Sequence, residues 1–349
     1  MRIALVSDAW APQVNGVVRT LTTTVGRLRA RGHVVETITP DGFRTVPCPS
    51  YPEIRLAIGC TRGVGERLQA FRADAVHIAT EGPLGWAARG WCVDRAMPFS
   101  TSFHTRFPDY VAMRTPLKAE WLWRVVRRFH APASSILVAT DTLRRELAGQ
   151  GLTQTNLWSR GADLTLFSPH TAPHVALAEL PGPILLHVGR VAVEKNIAAF
   201  LSADVPGTKI VVGDGPARAM LEATYPQARF LGALHGGALA SAYAAADVLV
   251  FPSRTDTFGL VMIEALASGV PVAAYPVPGP LDILGADGRG GQGAPIGALD
   301  DDLATAITRA LPLDRAVCAA EGRRYSWDAC TDQFLTGLRP IGRGFAVAA

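Results

Sequence analysis

At 349 residues the chain is long for one domain and comfortable for two, and 48% hydrophobic against 18% charged residues is the composition of a packed globular protein, not a disordered one. No stretch approaches ~18 uninterrupted apolar residues, and Met1–Trp10 run straight into a strand-like pattern with no cleavable signal arrangement, so a cytoplasmic protein without a bilayer span is expected. The net charge of +4 is unevenly held: residues 1–170 carry 21 Lys+Arg against 13 Asp+Glu and the remainder 13 against 17, so the front half suits an anionic lipid surface or polyanionic substrate, or is simply a solvated basic face.

Residues 1–7 read as a first strand, followed by a loop that turns at Gly16 into a helix near Val17–Arg31. A dinucleotide fold would show GxGxxG here; a lone Gly16 weighs against an NAD enzyme. A second strand covers 33–39, and 40–58 reads as a loop with an edge strand. The strand at 75–79 ends in Thr80-Glu81, and ligands gather at such carboxyl ends in doubly wound sheets, so Glu81 is either an acceptor contact or a surface helix cap. Residues 98–103 deliver His104 to the same edge, where it either serves a site or packs at the strand end. The helix expected over 116–131 places Leu117, Trp121, Leu122, Val125, Val126 and Phe129 on one apolar face and Trp123 elsewhere. A core helix is the expectation, and a membrane-surface helix the alternative. A strand at 135–139, a helix capped by Asp141, an end strand at 156–159 and a Pro- and His-rich linker at 166–182 complete this half.

The second half opens with a strand at 183–188 and the turn GRVAVEKN. Only three lysines exist, Lys118, Lys195 and Lys209. Lys195 offers a compact charge and Arg190 a planar fork, both suited to phosphate oxygens, unless the turn is a salt-bridged surface loop. The next strand, 209–212, ends at Gly213. Residues 247–272, DVLVFPSRTDTFGLVMIEALASGVPV, read as strand, turn, helix and strand, with Thr257 capping a helix that starts at Phe258, Gly259 and Leu260 and has Gly269 just past its end. Asp256 stands at the helix mouth and Glu264 roughly 9 Å further along the axis. One elongated polar ligand could touch both while the N–H groups of Phe258, Gly259 and Leu260 point at its end. An ordinary βαβ turn with a surface Glu is the plainer alternative. Asp300–Asp302 read as a helix start, not a metal site, and five scattered cysteines without CxxC spacing read as packing residues.

The string PSRTDTFGLVMIEALASGVPV closely resembles the donor-binding signature of glycosyltransferase family 4, usually Glu-x7-Glu and here Asp256-x7-Glu264. The resemblance implies an α/β protein of the GT-B fold, two Rossmann-like doubly wound domains facing across a cleft: 1–167 for the acceptor, 168–325 for the nucleotide sugar, with a tail 326–349 crossing back to the first. SRGADLTLFSP is similar to the family's interdomain hinge. It also implies that Asp256 and the amides of Phe258, Gly259 and Leu260 hold the donor hexose, and Glu264 the ribose. Gly16 would border the donor phosphate, Gly189, Arg190 and Lys195 of the G-R-x4-K pattern would meet the diphosphate, and the turn at Gly213 would frame the base. FHTRFPDY resembles lipid-directed members, in which the residue matching His104 contacts the donor sugar near the reacting carbon. The implied reaction is retaining transfer of a hexose from a GDP- or UDP-linked sugar to a hydroxyl of a membrane lipid such as diacylglycerol, at the inner face of the cell membrane. The nucleotide sugar would be co-substrate, with no metal or other cofactor and no nucleic-acid partner. A polyprenyl-linked or soluble glycan is the alternative acceptor; a nucleotide-sugar epimerase or non-catalytic binding module would be another class.

Overall fold

The computed structural model describes residues 1–13, 15–48, 51–104, 119–256, 258–291 and 293–341. They divide into two compact units, Met1–Arg160 with the chain from Trp327 onward, and Gly161–Ser326. The expected boundary after residue 167 therefore moves to 160. Phe167 explains the shift, because its buried ring meets Tyr243 of the second unit edge-on at 5.6 Å.

The first unit contains strands β1 (Arg2–Val6), β2 (Val34–Ile38), β3 (Thr45–Cys48), β4 (Tyr51–Ala57), β5 (Ala75–Ile78), β6 (Ser100–Phe103), β7 (Ser135–Val138) and β8 (Thr155–Leu157). Its helices are α1 (Gly16–Ala30), α2 (Thr61–Phe71), α3 (Pro83–Asp94), α4 (Ala119–His130) and α5 (Asp141–Gly149). Six strands form a parallel sheet in the order β2-β1-β5-β6-β7-β8. Burial on both faces explains why β5, β6 and β7 contain no exposed residue and, His77 apart, read as runs of apolar or small residues. The segment 40–58, expected as a loop with an edge strand, holds two strands, β3 and β4, paired as an antiparallel hairpin.

Local capping corrects three expectations. The Asn15 side chain accepts from Val17 and Val18 N–H, so Gly16 is the first residue of α1, not a turn glycine. Thr140 Oγ1, one residue before the expected Asp141, accepts from Leu143 N–H at the head of α5. At α3 the capping carboxylate is Asp8, which accepts from Leu84 and Gly85 N–H and from Thr80 Oγ1. Glu81 instead pairs with the buried His130 at 3.1 Å.

The face of α4 is also corrected. Trp123, Val126 and Phe129 are buried, with Trp123 stacked on Phe103 at a centroid distance of 5.8 Å, whereas Trp121 is 63% exposed and Val125 52%. Leu117 lies outside the described residues. Apolar residues at both 121/125 and 122/126 give the helix two adjacent apolar stripes, and the ring of Phe103 selects the one through Trp123.

The second unit contains β9 (Ile184–Val188), β10 (Thr208–Val212), β11 (Arg229–Gly232), β12 (Val248–Phe251), β13 (Val272–Ala274) and β14 (Gly297–Leu299). Its helices are α6 (Val175–Ala178), α7 (Ile197–Ser202), α8 (Arg218–Thr224), α9 (Gly236–Ala244), α10 (Leu260–Ala267), α11 (Pro278–Leu284), α12 (Leu303–Ala310) and α13 (Arg315–Gly322). All strands are parallel in the order β11-β10-β9-β12-β13-β14, so the winding reverses between β9 and β12. Gly269, at φ +73°, ends α10 as expected, and Asp302 caps α12 through Ala304 and Thr305 N–H.

The last helix, α14 (Trp327–Gly337), belongs to the first unit. Arg27 of α1 and Arg31 just past its end pair with Asp328, and Arg31 also with Asp332. Phe334 lies edge-on to His77 at 4.9 Å and against Trp158 at 5.0 Å. Among the described residues no helix is long and apolar enough to cross a membrane.

His77 sits fully buried in this core, and burial pushes its pKa down from 6.5 to about 3. Below the ordinary value the unfolded chain binds a proton that the folded imidazole refuses. The stability this neutral side chain supports is therefore complete above pH 6.5 and declines as the pH falls toward 3, by up to about 1.4 kcal/mol per pH unit. Urea unfolding midpoints are expected to fall across that window, and less so in His77→Gln. A wild-type midpoint that stays level would contradict the assignment.

Candidate active site

In a parallel doubly wound sheet the loops leaving two adjacent strands part at the point where the winding reverses, opening a crevice at the carboxyl edge. Here that point lies between β9 and β12. The loop after β9 carries Gly189, Arg190 and a 3-10 turn over Val193–Lys195; the loop after β12 carries Asp256 and Phe258 into α10. The two loops meet. Lys195 Nζ lies 2.5 Å from Asp256 Oδ1 across 61 residues of sequence, and Asn196 Nδ2 donates to Pro252 O at 3.2 Å. The pair keeps 25% and 19% of its side-chain surface open, so a ligand can reach both partners.

Asp256 Oδ2, Ser253 Oγ and His187 Nε2 are buried without a hydrogen bond. His187 Nδ1 lies 3.2 Å from Val250 O, and a carbonyl only accepts, so the ring proton is on Nδ1 and Nε2 is a bare acceptor. Burial brings the pKa of His187 down to about 4, so the ring stays neutral at ordinary pH. Leaving such groups unpaired costs about 1–3 kcal/mol each, which a hydroxyl-bearing ligand would offset.

The helix start expected at Phe258 is corrected to Leu260. Gly259 adopts φ +95°, which no helix contains, and a Cβ on it would approach Met262 Cε to 2.6 Å and the Phe251 ring to 3.0 Å. Phe258 and Gly259 thus belong to the loop before α10, while Thr257 lies outside the described residues. The Phe258 ring is buried edge-on to Tyr325 at 6.2 Å. Glu264 is not on the surface. It is 1% exposed, and its Oε2 accepts from the buried Tyr243 hydroxyl at 3.0 Å, which is the polar partner its position demands.

Of the remaining predicted residues, Gly213 follows β10 and stacks its turn on that of Gly189, whose N–H donates to Val212 O at 2.9 Å. Arg190 stands exposed at the end of β9. Gly16 and His104 belong to the first unit, at the head of α1 and the end of β6, and β5 separates their strands. His104 is buried, with Nε2 2.9 Å from Ser102 Oγ and Nδ1 3.0 Å from an Arg160 nitrogen.

Residues 14–166 match the family model Glycosyltransferase Family 4, and residues 182–312 match Glycosyl transferases group 1. A GDP-mannose-dependent alpha-mannosyltransferase of Mycolicibacterium smegmatis is 34% identical over 352 residues, spanning 93% of this chain and 90% of that one. The chain belongs to glycosyltransferase family 4.

An alpha-monoglucosyldiacylglycerol synthase of Streptococcus pneumoniae is 28% identical over 79% of this chain and 71% of its own. A sucrose-phosphate synthase from Thermosynechococcus elongatus superposes with a TM-score of 0.71 at 23% identity, over 96% of this chain and 97% of that one, which is the GT-B fold. This family 4 enzyme is a glycosyltransferase that uses a nucleotide sugar. Sequence reading missed Tyr243, His187 and Arg160. Tyr243 is the one aromatic in the Ala-rich GGALASAYA, and His187 interrupts the apolar strand ILLHV, both signals that could have flagged them.

Proposed function

We propose that this glycosyltransferase moves a mannosyl group from GDP-mannose, with retained anomeric configuration, to a hydroxyl of a membrane lipid. The reading rests above all on the meeting of Lys195 and Asp256 at the crevice between β9 and β12. A cation for the diphosphate and a carboxylate for hexose hydroxyls stand together there, with Arg190 on the same loop and Glu264 within α10 for the ribose. The name of the Mycolicibacterium relative favours GDP-mannose, and that of the Streptococcus relative a diacylglycerol acceptor. In the step itself, the bond from the anomeric carbon to the β-phosphate oxygen breaks and the acceptor oxygen bonds on the same face. The acceptor proton passes to the departing diphosphate, whose charge Arg190 and Lys195 stabilise. No metal is assigned a part.

A thermal-shift panel with GDP, UDP and ADP tests the donor. A nucleotide at 100 times its Kd adds about 2.7 kcal/mol, so a selective GDP response is expected. A selective UDP response would overturn mannosyl transfer, and silence from all three the nucleotide-sugar site as described.

For the acceptor, α4 supplies the support. Its outer face presents Trp121, Arg124, Val125 and Arg128, with the Arg124 guanidinium 5.1 Å from the Trp121 ring centre. An aromatic among cations is the composition of an interfacial helix. Flotation with anionic vesicles should carry the enzyme upward, and Trp121→Ala should weaken partitioning about tenfold. Wild-type enzyme left at the bottom of the gradient would favour a soluble glycan acceptor.

A further inference from the structure

From the carboxyl end of β6 back into the first sheet, five buried side chains form one hydrogen-bonded chain: Arg160, His104, Ser102, His77 and Ser100. The ring proton of His104 can be assigned from chemistry alone. A guanidinium has only donors, so the Arg160 nitrogen 3.0 Å from His104 Nδ1 makes that atom an acceptor, and the single proton of a neutral ring must sit on Nε2. Nε2–H donates to Ser102 Oγ at 2.9 Å. Ser102 lies 3.2 Å from both His77 Nε2 and Ala79 O, and His77 Nδ1 lies 2.9 Å from Ser100 Oγ, which itself reaches Val76 O at 3.3 Å. His77 can close this chain in either tautomer, because each serine has a carbonyl as its second acceptor. His104 has no such freedom.

Arg160 is itself held firmly. One guanidinium nitrogen donates to Trp158 O at 2.7 Å and Ser159 O at 3.3 Å, and the group lies 5.0 Å from the Trp158 ring centre. The same indole meets His104 edge-on at 5.5 Å. Among the described residues, the titratable groups that act on His104 include Arg160, His77 and His130, with Cys330 beside Arg160 and Glu81 on the far side of His130. Burial first, then Arg160 and the two histidines, hold the His104 pKa well below 6.5.

We propose that Arg160 is a positioning residue of the transfer reaction, holding His104 as a neutral imidazole with its proton on Nε2, so that His104 contributes a fixed orientation and neither gives nor takes a proton. Its part in transfer rests on the reading that the His104 end of β6 serves the reaction; the lock itself does not.

Two measurements test it. The first is 15N NMR of the ring nitrogens in the full-length, ligand-free enzyme, with His104→Gln used only to assign the signal. His104 is expected to be neutral and Nε2-protonated throughout about pH 6–8. Titration inside that window, or a proton on Nδ1, overturns the lock. The second is the pH profile of kcat. Arg160→Met is expected to lower kcat about 10- to 100-fold with KM for the donor little changed, and to bring in an acid limb as His104 regains a higher pKa. Arg160→Lys, which can still donate to Nδ1, should recover most of the loss and remove the limb. If Arg160→Met keeps the wild-type kcat and profile while NMR shows the locked ring, the role in transfer is overturned and the lock remains. Should that variant fail to fold, the wild-type NMR result and the Arg160→Lys profile decide.

Discussion

Replacing Lys195 by methionine is expected to lower kcat/KM by about 10²- to 10³-fold, close to 3–4 kcal/mol of transition-state stabilisation, the range seen when one preorganised charge-stabilising group is removed. Methionine keeps the apolar stem and removes only the ammonium, so the test isolates charge. Stability should hardly move. The ion pair with Asp256 is partly open to solvent, and pairs of that kind contribute about 0–1 kcal/mol. The same pair adds a second expectation. Before a donor binds, Lys195 is engaged by Asp256, and a diphosphate must compete with that carboxylate. On the proposed roles, Asp256→Asn should therefore bind GDP at least as tightly as the wild type while turning over far more slowly, because the amide frees the ammonium but would no longer offer hexose hydroxyls a charged acceptor. A Lys195→Met enzyme within about threefold of wild-type kcat/KM would remove Lys195 from the charge-stabilising role.

The largest structural effect is expected at Gly213. Its φ is +144°, and a Cβ built there would lie 1.8 Å from Gly189 O, a backbone atom that cannot swing aside. The turn after β10 rests directly on the turn after β9. Gly213→Ala must therefore push apart the loop that carries Arg190 or abandon the local backbone, and strained backbone alone costs about 1–3 kcal/mol. With the collision added, a loss above about 4 kcal/mol is expected, which for a unit of this size lowers its melting temperature by roughly 8–16 °C. Calorimetry with and without GDP would read both consequences. A variant that melts as the wild type and still responds to nucleotide would show that the turns are not so coupled.

Much of this architecture is legible before any coordinates. Short apolar runs mark β1, β5, β9 and β12, the last two closed at once by Gly189 and Pro252, and the Asp256-x7-Glu264 stretch marks the loop and helix that follow β12. What periodicity cannot supply is which distant loops meet. Lys195 and Asp256 are 61 residues apart and Glu264 and Tyr243 21, and only the order of strands in the sheet brings the first pair together. Local pattern also misleads where it is rich. The α4 helix has apolar residues on two neighbouring stripes, so its inner face is decided by Phe103, a contact absent from the helix's own residues. The start of α10 lies two residues beyond the expected one because a glycine compatible with a first turn instead adopts φ +95°, with Met262 and Phe251 packed where a Cβ would stand. Arg160 carried no local signal, since its partner His104 lies 56 residues away.

The division of the chain into Met1–Arg160 with the segment from Trp327 onward, and Gly161–Ser326, has a consequence for biosynthesis. As the polypeptide leaves the ribosome, the unit encoded later is the first to be whole, because all its strands and helices lie in one uninterrupted stretch. The unit encoded first waits. Until α14 emerges, His77 and Trp158 lack the Phe334 ring that packs on both, and the Ser159 N–H and hydroxyl lack Gln333 Oε1, which accepts from them at 2.7 and 2.9 Å. A nascent chain stopped short of residue 327 would thus present a finished second unit tethered to an unfinished first, so that the emergence of α14 sets when the first unit can close its core.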